Sequence, residues 1–166
     1  MAIDKKTFIL YVRNFIFGVE DSLVSTVGML AGIASAGVVR REIIISGIVL
    51  IWVEAFSMSV GSFLSERATE ESATNYHEQK SHSLTAAIVM FISYLICGMI
   101  PLSPYLFASV EQAFFGSIAV SLIALFVFGL ISARILKTRL WKSAWRMLFV
   151  GGMAIALGVV VGTILG

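Results

Sequence analysis

Asp21 and Glu54 are carboxylates set inside long apolar stretches, and Met58 follows Glu54 by one helical turn. A carboxylate near the middle of a membrane helix costs about 2.5–3.5 kcal/mol on insertion scales, so keeping it there calls for a chemical reason. Carboxylate oxygens bind hard and borderline divalent ions. A thioether adds softness, which favours Fe(II)-like ions over Mg(II) or Ca(II). A carboxylate in a low-dielectric path can also hold a proton and give it up to a metal ion. Asp21, Glu54 and Met58 are therefore the candidate metal ligands.

The helical repeat sorts the residues around them. Asn14, Gly18, Asp21, Ser25, Gly28 and Gly32 recur at alternating spacings of four and three, which makes one narrow stripe of small or polar side chains. Glu20 lies about 100° away from Asp21 and shares a face with Arg13. It is expected either to pair with Arg13 or to face a cytoplasmic vestibule. In VEAFSMSVGSFLSE, Glu54, Met58, Gly61 and Ser65 share a face, with Ser57 and Ser62 beside it. If the two stripes meet, they form a polar crevice. Asn14, Glu20, Ser25 and Ser62 are then expected to serve access to the metal site or its coupling to protons.

These residues need long helices to carry them. The 166 residues are 58% hydrophobic and 13% charged, against about 25% charged in soluble domains. That leaves too little polar surface for a water-facing globule, so the fold class expected is an all-α integral membrane protein. Five spans are predicted, at 8–36, 43–64, 84–102, 113–135 and 147–165, forming a single transmembrane domain over 1–166. Pro101 and Pro104 are expected to stop the third helix. Lys5, Lys6, Arg13, Arg67, Lys80, Arg134, Lys137, Arg139, Lys142 and Arg146 fall on one side of this arrangement, and only Arg40 and Arg41 fall on the other. The N-terminus is therefore expected in the cytoplasm and the C-terminus on the far side. No signal peptide with a clean apolar core is evident, so the first helix is expected to be retained. Cys97, the single cysteine, excludes an internal disulfide and reads as a packing residue.

The polar linker at 66–82, ERATEESATNYHEQKSH, holds Glu70, Glu71, His77 and Glu78. These residues offer a weak cytoplasmic metal-collecting surface, without the spacing of a defined site. Met29, Met90, Met99 and Met153 read as packing residues. Gly28, Gly32 and Ala36, and likewise Gly158, Gly162 and Gly166, recur every four residues and mark faces of close helix contact. Sequence leaves open whether those contacts lie within one chain or between chains.

RNFIFGVEDSLVSTVGMLAG resembles the first helix of the vacuolar iron transporter family, whose pattern is close to R-D-x-x-x-G-x-x-D-G-x-x-S-T. SMSVGSFLSE resembles its second-helix pattern S-M-x-x-G-E-Y-x-S, and IPLSPYLF resembles the proline pair after its third helix. The resemblance implies a homodimer of five-helix protomers that exports Fe2+, and often Mn2+, from the cytosol in exchange for protons. It assigns an aspartate and a methionine as ligands near the dimer interface, which are Asp21 and Met58 here. The chain departs from the pattern at Asn14, Ser22 and Ser62, which stand where the family has an acid, a glycine and a glutamate. Glu54 stands where a small residue is common. The family's cytoplasmic metal-binding insert is reduced to the short 66–82 linker.

The function expected is a proton-coupled exporter of divalent transition metal. Its partners are the bilayer, metal ions, protons and a second copy of the chain, with no nucleic acid. Fe2+ or Mn2+ is transported substrate, and no permanently bound cofactor is expected. The membrane would be the cell (inner) membrane in a prokaryote and a vacuolar-type membrane in a eukaryote. The alternative from another class is a structural or regulatory membrane subunit whose polar stripes mediate helix assembly. No Ser-His-Asp set, His-rich helix or nucleotide loop suggests an enzyme.

Overall fold

A computed structural model describes residues 4–72 and 82–166. They form five helices: α1 (Lys5–Ser35), α2 (Arg40–Ser72), α3 (Ser83–Phe107), α4 (Val110–Ile135) and α5 (Leu140–Leu165). All five are long and apolar enough to cross a membrane, and the described residues contain no strand. Helices are the expected outcome for such runs, because in hydrocarbon each backbone N–H and C=O must find its partner within the segment. α2 continues to Ser72, past the end of its apolar stretch.

The prolines of α3 do not stop it, contrary to the expectation from sequence. Pro101 and Pro104 lie inside a helix that runs on to Phe107. A helical proline strands the carbonyl four residues earlier. For Pro104 that is the Ile100 carbonyl, and the Ser103 hydroxyl donates to it at 2.8 Å. From α4 the Ser117 hydroxyl donates to the Pro101 carbonyl at 2.7 Å. Neighbouring hydroxyls thus meet part of the cost of the two prolines.

α1 is the central helix and packs against all four others. It runs parallel to α3, with Ser22 donating to the Tyr94 carbonyl at 2.7 Å and Ser25 bonded to the Tyr94 hydroxyl at 2.7 Å. It also runs parallel to α5, and here the small-residue faces find their partner. A Cβ on Gly158 would collide with the Gly28 carbonyl, and one on Gly162 with the Gly32 carbonyl. The two stripes therefore pack on each other within a single chain, backbone against backbone. Leu30, Ile43, Ile51, Leu102 and Tyr105 form one core cluster, and Val19, Leu23, Cys97, Leu125 and Met147 form another.

Short links close the hairpins, and two of them need a left-handed residue. In the α1–α2 link it is Gly37, at φ 77°; in the α4–α5 link it is Lys137, at φ 53°. Around Lys137, the Thr138 N–H reaches the Ala133 carbonyl at 2.8 Å and the Lys137 N–H the Arg134 carbonyl at 3.4 Å. This is a Schellman cap whose left-handed position is normally glycine, and a side chain there costs about 1 kcal/mol. At the same end as Gly37, Arg40 clamps α2 to α3 by donating to the Tyr105 carbonyl at 2.7 Å and to the Leu106 carbonyl.

Candidate functional site

The polar stripes of α1 and α2 meet at one end only, where Asn14 faces Ser62, while Gly18 of the α1 stripe packs on α3 and Gly28 and Gly32 pack on α5. Between α1 and α2, closed on one side by α3, is a cavity of about 560 Å³ lined by Asn14, Phe17, Ser57, Met58, Ser62 and Met90, among others. Asn14 is almost wholly buried. It donates to the Leu10 carbonyl at 3.0 Å and accepts from the Ser62 hydroxyl, which ties α1 to α2 across the cavity. Met58 comes from α2 and Met90 from α3, so two thioethers border one space. Sequence reading takes Met90 as a packing residue. It is buried, but it also lines this cavity.

At the N-terminal end of α1 the cavity is bordered by Arg13 and Glu66, which form an ion pair across α1 and α2. The expected pairing of Arg13 with Glu20 is not seen, and Glu66 takes that place. The reason is geometric: a residue on the facing helix competes with one two turns along the same helix. Arg13 is mostly exposed, whereas the Glu66 side chain is only 15% exposed, so the acid sits in the wall and the cation over it.

Asp21 does not line this cavity. It lies two turns further along α1 than Asn14, about 10 Å deeper. Glu54 lies one turn deeper than Met58 on α2. Asp21 falls within electrostatic reach of Glu54 and, more weakly, of Glu20, and none of the three lines the cavity. All three are half-buried. Tyr94 of α3, fully buried, stands behind them, within reach of the Asp21 and Glu54 charges. Ser25 holds the Tyr94 hydroxyl and borders a second cavity of about 570 Å³, apolar and lying between α1 and α5. The α1 stripe therefore touches one cavity at Asn14 and another at Ser25, with Asp21 between the two.

Among the described residues, no three His, Cys, Asp or Glu side chains are placed to hold one metal ion. Any ion on Asp21 and Glu54 needs further donors of another kind. The cytoplasmic candidates are scattered. Glu71 pairs with Arg67 at 2.8 Å, and Glu70 accepts from the His82 backbone N–H at 2.8 Å, which fastens the end of α2 to the start of α3. Tyr11 bonds the His82 ring at 2.9 Å. His77 and Glu78 lie outside the described residues.

Comparison with known proteins places this architecture in a family. The family model described as the VIT family matches residues 12–85 and 68–163, which is nearly the whole chain. Vacuolar iron transporter 1 of Tulipa gesneriana is 24% identical over 205 residues, covering 87% of this chain and 83% of the relative. Vacuolar iron transporter homolog 4 of Arabidopsis thaliana is 27% identical over 158 residues, covering 89% and 80%. Vacuolar iron transporter 1 of Oryza sativa subsp. japonica reaches 37% identity over 75 residues, or 45% of this chain. The tulip alignment is longer than the chain's 166 residues, so that relative carries residues with no counterpart here.

Proposed function

The chain belongs to the VIT family, and from that premise we propose that it exports a divalent transition metal, Fe2+ first, from the cytosol. The relatives named as vacuolar iron transporters support the metal. The observation that carries the reading is Asp21 within electrostatic reach of Glu54, each about one turn beyond a cavity bordered by the Met58 and Met90 thioethers. A thioether beside carboxylates favours Fe2+ over Mg2+ or Ca2+.

In this reading the cavity is the cytoplasmic vestibule. Glu66 draws a cation in as Arg13 yields it, and Asn14 and Ser62 replace part of the ion's water. Met58 then passes the ion to Asp21 and Glu54. Asp21 and Glu54 lie within electrostatic reach of each other, and a divalent ion or a proton at Asp21 would offset the charge there. Metal leaving on the far side is therefore replaced by protons, which is antiport. Two acids and a thioether leave the ion's coordination incomplete, so a second copy of the chain completes the shell and the working unit is a homodimer. The host would be a vacuolar-type membrane in a eukaryote or the cell membrane in a prokaryote.

The test is Fe2+ flux in proteoliposomes. Wild-type flux should rise when the far side is acid and fall when a protonophore collapses the gradient. Asp21→Asn should abolish flux and leave the melting temperature within a few degrees of wild type. Undiminished flux in that variant would sink the assignment. The assembly-subunit reading predicts instead no metal binding and a changed oligomeric state, and the glycine faces that suited it are taken up at least in part by the α1–α5 contact within the chain.

A further inference from the structure

The α4–α5 link and the helix ends beside it, far in sequence from the carboxylates, carry Arg134, Lys137, Arg139, Lys142 and Arg146, all exposed. None of the five forms an ion pair among the described residues. No Asp or Glu follows Glu111 in the chain, and Glu111 starts α4 at the opposite end of the bundle. Membrane orientation asks for cations at this end of the bundle, but helix electrostatics do not set where they fall. Arg134 does sit in the last turn of α4, where a cation is favoured, but Lys142 sits in the first turn of α5, where a cation is disfavoured.

Turn chemistry does not account for their placement either. The α1–α2 link puts glycine at its left-handed position, Gly37, whereas the α4–α5 link puts Lys137 there. Glycine would close that turn with less strain. The chain holds a charge at the one position of this link where any side chain is unfavourable.

Beside the charges is a groove of about 380 Å³ between α4 and α5, lined by Leu130, Ile131, Arg134, Ile135, Leu140 and Trp141. Its wall is apolar with a guanidinium at its rim. Trp141 is 67% exposed and Trp145, one turn on, is 63% exposed. Exposed tryptophans beside lysines and arginines are the composition of a membrane–water interface.

We infer that this link and groove form a binding site for an anionic phospholipid. The headgroup phosphate is held by Arg134, Lys137 and Arg139, and an acyl chain lies along Leu130, Ile131 and Leu140. The inference goes beyond metal transport and does not depend on it.

The test uses the full chain, delipidated in a neutral detergent. Phosphatidylglycerol, phosphatidylcholine and inorganic phosphate are added separately, with native mass spectrometry and melting temperature as readouts. Wild type should retain phosphatidylglycerol and melt higher with it, while phosphatidylcholine and phosphate do neither. Each cation replaced by glutamine should weaken retention about fivefold. Lys137→Gly separates lipid binding from folding: without lipid it should melt higher than wild type, yet retain less phosphatidylglycerol. If it retains as much as wild type, or if phosphatidylcholine binds equally well, the inference is overturned.

Discussion

Asp21 and Met58, the proposed ligands, stand out in the sequence because each breaks the pattern of its surroundings at a spacing that helical geometry can read. Met90 is not. A single methionine in an apolar helix carries no signal of its own, and only the packing of α3 against α1 and α2 brings it to the cavity. Glu66 is missed for a related reason: residues one or two turns apart on one helix can be paired on paper, but a partner on another helix depends on how the helices cross. The two thioethers can be separated by experiment. Met58→Leu should raise the Fe2+ concentration for half-maximal flux about tenfold, equivalent to about 1.4 kcal/mol. Met90→Leu should have a smaller effect if that sulfur only borders the path. Both swaps nearly conserve volume, so their melting temperatures should reflect changes below about 1.5 kcal/mol. An equal loss of stability in both variants would mean that packing, not ligation, sets their effect on flux.

At the scale of the element, five long apolar runs announce five helices, and the structure has five. The proline pair shows where that reading falls short. Proline's missing N–H is a local fact, but whether it ends a helix depends on what takes up the stranded carbonyl. In α3 a hydroxyl one residue before Pro104 does so, and α4 supplies another nearby. Ser103→Ala should therefore destabilise α3 by about 0.5–1.5 kcal/mol, the range for losing one ordinary hydrogen bond, since this one is part-buried. Denaturation in detergent would measure it. No change in stability would mean that water or a shifted backbone satisfies the Ile100 carbonyl instead.

Across the whole molecule, periodic glycines in α1 and α5 could be seen in the sequence, but not that they meet each other. Which faces pair depends on the order in which the bundle closes, and that is a property of all five helices together. The α1–α5 seam is backbone against backbone, so it cannot absorb a side chain by a rotamer change. Gly158→Leu should force the two helices apart and lower stability by about 1–3 kcal/mol, with a lower melting temperature as the readout. The same seam constrains how the protein is made. α1 leaves the ribosome before α5, whose partner face follows more than a hundred residues later. Until then the glycine groove of the first helix has only lipid against it. The bundle therefore cannot settle helix by helix as it is inserted, and its closing contact is the longest-range one in the chain, the kind that slows folding.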